Sequence, residues 1–186
     1  LEMQGADVVY YVPNRHTEGY GLSYEAIDKL SMMGVKLIIT VDNGISAVEE
    51  AKYINELEME LIVTDHHLPS DTLPQAVAVI DPHREDCNLE FKDYAGVGVA
   101  YKLICALEGE ENGVTDSFAD LVTIGTVADV MPLIKENREL VRRGVQLIAD
   151  SDRSGIQALI EVAGLSERRM TSTTVAFGIC PRINAA

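Results

Sequence analysis

Along the first half of the chain, short runs of apolar and β-branched residues alternate with stretches whose apolar positions recur at helical spacing. Residues 8–12, 36–41 and 60–64 are short and β-branched, and predict strands. Between them, Ser23 followed by Glu25, Ala26, Ile27 and Leu30 predicts a helix capped by the serine hydroxyl. Ser46 followed by Glu49, Glu50, Ala51, Ile54 and Leu57 predicts another. Residues 76–80, closed by Asp81-Pro82, predict a fourth strand. Alternation of this kind implies an α/β fold, because parallel strands need a crossover and a helix supplies it.

From Gly96 the pattern changes. Val99, Leu103 and Leu107, then Phe118, Leu121, Val122 and Ile124, keep helical spacing with no strand-like run between them. Residues 139–149 and 155–162 continue the helices, and a linker at 149–154 divides an α/β domain (1–150) from a helical connector (151–186). The expected fold is therefore a parallel β-sheet flanked by helices, followed by a mainly helical extension. No repeat or low-complexity segment interrupts it. Both ends read as cut: a first strand at Val8 leaves room for an upstream strand, and the chain stops at Ala186 without a closing element.

Composition narrows the class. Hydrophobic residues make up 47% of the chain and charged residues 24%, with Pro and Gly scattered singly, which excludes a disordered or fibrous protein. No apolar stretch approaches the ~20 residues that span a bilayer. Leu1-Glu2-Met3-Gln4 lacks the basic flank and apolar core of a signal peptide, so no membrane partner is expected and the cytoplasm is the expected location. Cys87, Cys105 and Cys180 are far apart and odd in number, which argues against a disulfide framework or a structural zinc site and for reduced, mostly buried thiols. Acidic residues outnumber basic ones 30 to 15, for a net charge of −15. Taken alone, that charge counts against a nucleic-acid partner, which usually meets a basic face. A site that collects divalent cations, however, needs carboxylates.

Three clusters carry candidate chemistry. The strand at 36–41 runs into Asp42-Asn43-Gly44, the strand at 60–64 into Asp65-His66-His67, and the helix from Phe118 leads to Ala128-Asp129-Val130. Open α/β sheets place their ligand sites at the carboxyl ends of strands. Neighbouring strands lie ~4.8 Å apart, so carboxylates and imidazoles at their tips can meet around cations separated by roughly 3.5–4 Å. Oxygen and imidazole donors without a thiolate favour Mn2+ or Mg2+ over structural zinc. Each cluster alone has a plainer reading: Asp-Asn-Gly is commonly a turn, and paired histidines along a strand would face opposite ways. Together, each following an apolar run, they outweigh those readings. Gly96 and Gly98 read first as helix-packing positions and second as places where the backbone can approach a phosphate. His16 and His83 read as solvated surface histidines, and Glu108-Gly109-Glu110-Glu111 as a charged solvent loop.

Asp65-His66-His67, with Val41-Asp42-Asn43-Gly44-Ile45-Ser46 upstream, resembles the motifs of the DHH phosphoesterase superfamily. Further motifs resemble the RecJ-type exonucleases within it. They are Pro13-Asn14-Arg15 with Glu18-Gly19-Tyr20-Gly21, Ala95-Gly96-Val97-Gly98-Val99-Ala100, Gly125-Thr126-Val127-Ala128-Asp129-Val130-Met131-Pro132-Leu133, Glu136-Asn137-Arg138, and Pro181-Arg182-Ile183-Asn184-Ala185-Ala186. The resemblance implies that Asp42 bridges two Mn2+ or Mg2+ ions and that His66 and Asp129 bind one of them. It makes His67 a catalytic and substrate-binding group on the phosphate, with Asp65 behind it orienting an imidazole. Arg15 would hold a DNA phosphate, as the planar guanidinium fork is suited to do.

The implied activity is 5′-to-3′ hydrolysis of single-stranded DNA to nucleoside 5′-monophosphates in repair and recombination. A single-strand-binding protein and a helicase would be partners. Alternatives within reach of the same motifs are an oligonucleotide or cyclic-dinucleotide phosphodiesterase and a non-catalytic DNA-binding replication scaffold. Two departures stand out. The superfamily's first metal motif, Asp-x-Asp-Gly on an earlier strand, has no match here, and the Pro-Arg-x-Asn-Ala-Ala motif stops before its Gly-Arg continuation. The 186 residues alone are therefore expected to bind metal weakly and not to degrade DNA.

Overall fold

The structure is a computed structural model that describes residues 1–14, 18–109 and 113–185. Its sheet holds β1 (Leu37–Val41), β2 (Glu60–Thr64) and β3 (Ala78–Ile80) in that order, all parallel. The register pairs Val41 with Thr64 and Thr64 with Ile80, so the residues that follow the three strands, Asp42, Asp65 and Asp81, line up along one edge. Helix α1 (Tyr24–Met32) precedes β1 and α2 (Val48–Glu56) joins β1 to β2. Ser23 caps α1 as expected, its hydroxyl accepting from the Ala26 amide at 3.2 Å. Ser46 does not cap α2: the helix starts later, behind Ala47, with no side-chain cap.

Strand alternation sets the core. Ile38, Leu61 and Val63 turn inward to meet Ile27 and Leu30 of α1 and Ala51 and Ile54 of α2, all buried. Full burial of a valine, leucine or isoleucine side chain contributes roughly 1.5–3 kcal/mol. Residues 8–12 are not a strand. They run without a ladder partner among the described residues, with Tyr10 92% and Val12 81% exposed. A β-branched run has strand propensity, but without a neighbour to accept its backbone hydrogen bonds it gains no ladder.

Helix α3 (Gly96–Glu108) lies against β1 and β2. The rest is helical: α4 (Gly113–Asp116), α5 (Ala119–Ala128), α6 (Lys135–Ala149), α7 (Ser154–Val162), α8 (Ser172–Thr174), a π-turn over Val175–Ile179 and α9 (Cys180–Asn184). Helices α5 and α6 approach closely because Gly144 leaves room: a Cβ there would overlap the Ala119 carbonyl. Ile124, Ile148, Ile156, Leu165, Val175 and Ile179 form a second buried cluster that takes residues from both sides of position 150. No described helix is long and apolar enough to cross a membrane.

Candidate metal centre

The chain leaves β1 through Asp42, whose φ of 64° is left-handed. Asp tolerates that region better than most residues. Its amide still donates to the Thr64 carbonyl at 3.0 Å, so the turn away from the sheet happens at this residue. Gly44, at φ 106°, completes the turn against Thr40. The carboxylate is half-exposed, and burial beside Asp129 and Asp65 pushes its pKa up against the attraction of His66.

Asp65 follows β2 and is 1% exposed. A buried carboxylate is costly unless its lone pairs are filled, and here they are. It accepts from the Ile45 amide at 2.9 Å, the His66 amide at 2.8 Å, the His67 amide at 3.3 Å and His67 Nδ1 at 2.7 Å. Burial alone would raise its pKa, but these donors hold it below the usual carboxylate range. The same bond raises the His67 pKa. It also fixes the ring, with the proton on Nδ1 towards Asp65 and Nε2 left for another partner. The His67 side chain is half-exposed.

His66 takes the opposite role. Its side chain is 10% exposed, and its Nε2 lies 3.1 Å from Asp42 Oδ1 and 3.3 Å from Asp129 Oδ2. Asp129 reaches it from the C-terminal end of α5, where the next residue, Val130, takes φ 55° and is 86% exposed. A β-branched side chain at positive φ costs about 1–3 kcal/mol, and such strain gathers at functional sites. Among the described residues, Asp42, His66 and His67 offer ligand atoms all within 4.8 Å of one another. Two carboxylates converging on one imidazole nitrogen, at an open face and without sulfur, fit a hard divalent cation. An open cavity of about 520 Å³ borders them, lined by Gly19, Tyr20, Asp42, His67 and Asp129.

Sequence motifs thus brought Asp42, Asp65, His66, His67 and Asp129 to one place. Arg15, like His16, lies outside the described residues. Two contributors were not anticipated as such. Tyr20 donates its hydroxyl to the Asp42 carbonyl and sets its ring edge-on to His67, centroids 6.2 Å apart. Gly96 backs the Asp42 side chain so closely that a Cβ there would overlap it. Both sit in quoted motifs, but nothing in a one-dimensional pattern says which residue a glycine will face. His83 is not a solvated histidine: its side chain is 24% exposed and its amide donates to buried Asp81 at 2.7 Å. A second cavity of about 360 Å³ lies beside β3. Its cations are already engaged, Arg84 by Asp86 and Lys102 by Glu136.

A family model described as the DHH family, N-terminal domain, matches residues 1–126. The single-stranded-DNA-specific exonuclease RecJ of Escherichia coli (strain K12) is 44% identical over 194 residues, which cover 97% of this chain and 34% of that protein. The protein of the same name from Bacillus subtilis (strain 168) is 42% identical over 185 residues, covering 100% of this chain and 23% of that one. The chain therefore spans about a third or less of the length of these relatives. A crystal structure of exonuclease RecJ bound to manganese superposes with a TM-score of 0.87 at 39% identity, over 100% of this chain and 46% of that chain. RecJ from Thermus thermophilus in complex with Mn2+ gives 0.75 at 38%, over 87% of this chain and 24% of that chain.

Proposed function

The chain belongs to the DHH family, and from that premise we propose that it carries part of the active site of a metal-dependent 5′-to-3′ exonuclease acting on single-stranded DNA. The observation that carries the reading is His66 Nε2 held between the Asp42 and Asp129 carboxylates at the mouth of an open cavity. Relatives named as single-stranded-DNA-specific exonucleases at 42–44% identity, and neighbours bound to Mn2+, support it.

In this reading Asp42, His66 and Asp129 would hold divalent cations, Mn2+ or Mg2+, with Asp42 shared between two ions and His66 and Asp129 contributing donors to one of them. When bound, such a pair lowers the pKa of a coordinated water and offsets charge on the departing oxygen. His67, fixed by Asp65, presents Nε2 to a non-bridging phosphate oxygen, and its raised pKa favours the charged, donating form. Tyr20 holds the Asp42 main chain in its left-handed turn. Arg15 grips a phosphate of the strand. Residues 1–150 would form the phosphoesterase domain and 151–186 the connector, in a cytoplasmic enzyme working with a single-strand-binding protein and a helicase.

The test is Mn2+-dependent digestion of 5′-phosphorylated single-stranded DNA by the full-length protein, beside oligoribonucleotides and cyclic dinucleotides. Release of mononucleotides from the 5′ end, abolished by His66→Ala and Asp129→Ala, is expected. Preference for a small dinucleotide, or no hydrolysis at all, overturns the reading.

A further inference from the structure

The segment that carries Asp129 is poorly anchored by its own packing. No residue from 129 to 136 is buried, and Leu133 and Ile134 are 36% and 51% exposed. The first buried side chain beyond it is Asn137, 1% exposed, in the first turn of α6. Its Nδ2 donates to the Pro132 carbonyl at 3.1 Å and to the Asp93 carbonyl at 2.6 Å. A primary amide has two N–H donors, and Asn137 spends both on separate segments.

Each segment leads to one side of the cluster. Pro132 follows Asp129 by three residues, while Asp93 precedes by three residues Gly96, the glycine pressed against Asp42. A second tie joins the same two segments nearer solvent: Glu136 pairs with Lys102 at 2.5 Å and accepts from the Tyr94 hydroxyl. Two carboxylates that must face one imidazole nitrogen from different elements need such a brace, because Asp42 and Asp129 share no strand or helix.

We infer that Asn137 is a positioning residue: its side-chain amide sets the spacing of the Asp129 and Asp42 carboxylates around His66 and thereby tunes divalent-cation affinity. This rests on the cation-site reading above. The amide is specific to the role. Aspartate at 137 is isosteric but, when ionised, has no donor and turns negative oxygen towards two carbonyls; serine keeps a single donor.

The test compares wild type, Asn137→Asp, Asn137→Ser and the core control Ile148→Val in the full-length protein. Mn2+ affinity is read from the EPR signal of the free ion, and melting temperature is measured in EDTA. Partners behind metal ligands typically weaken binding by roughly 10- to 100-fold when lost. That loss is expected for Asn137→Asp, with Asn137→Ser between it and wild type. Ile148→Val, which thins the buried cluster around Ile148, should lower the melting temperature and leave affinity within twofold. Should Asn137→Asp fail to fold, Asn137→Ser carries the comparison with the same outcomes. Asn137 variants that bind as wild type does, or an Ile148→Val loss that matches theirs at equal melting temperature, overturn the inference alone. A wild type that takes up no Mn2+ overturns the cation-site reading and the inference with it.

Discussion

Adding one methyl group at Gly96 should disable the centre without replacing any of the proposed ligands. The three atoms nearest a Cβ built there all belong to Asp42: Oδ1, Cβ and Cγ. To restore an ordinary contact of roughly 3.5 Å, the whole Asp42 side chain, its Cβ included, has to retreat by about 1 Å. A displacement on the order of 1 Å at a reacting centre costs about 100-fold in rate. Stability should move little. Gly96 is the first residue of α3 and has no positive φ, so alanine is tolerated by the backbone. Its propensity gain of up to about 1 kcal/mol offsets part of an overpacking cost of about 1–3 kcal/mol. The assay is Mn2+ titration by calorimetry with a thermal melt of the metal-free protein. Gly96→Ala should melt within a few degrees of wild type and bind Mn2+ at least tenfold more weakly. Affinity within twofold of wild type would refute the placement of Asp42 as a ligand held against that glycine.

Asp65→Asn removes the charge, and one of the two oxygens, of a buried carboxylate that serves three amides and an imidazole. Losing hydrogen bonds to a charged group should cost about 1.5–3 kcal/mol in denaturant unfolding, and the His67 NMR titration midpoint should fall; an unchanged midpoint counts against Asp65 as its orienting partner. Glu18, bonded by the Tyr11 hydroxyl, the Asn14 amide and Lys29, has its pKa drawn down from 4.5 to about 2. Because the folded value is the lower one, its contribution is complete above the ordinary carboxylate range and is lost as pH falls through about 2. A 13C titration of the Glu18 carboxyl should show that midpoint, and an ordinary one would mean that the clasp is absent in solution. Arg153→Ala strips buried Asp120 of its 2.8 Å partner. The carboxylate, left with the Leu121 amide and no cation, should lower stability by about 1.5–3 kcal/mol, whereas a neutral effect would show Asp120 to be solvated.

Strands were legible where a β-branched run had a neighbour to pair with, as at 37–41 and 60–64. At 8–12 the propensity was the same and the ladder was missing, which composition cannot reveal. Ser23 capped its helix and Ser46 did not, since a cap needs the hydroxyl at the right turn geometry as well as the right residue type. The candidate cluster was legible in part because Asp42 and Asp65-His66-His67 follow strands whose register aligns them, whereas Asp129 comes from the end of helix α5 and was found by its motif. What lies behind the set was not. Asn137 reaches Asp93 across 44 positions, and Gly96 meets Asp42 only once α3 has packed on β1. Such contacts are set by tertiary packing and leave no local period in the chain.

Crystals of the full-length protein soaked in Mn2+ and measured at the manganese absorption edge would locate the cation itself. An anomalous peak should lie roughly 2.0–2.2 Å from Asp42 Oδ1, His66 Nε2 and an Asp129 oxygen, the range usual for small divalent ions. No peak there, or one bound away from His66, would contradict the assignment of these residues to a metal centre.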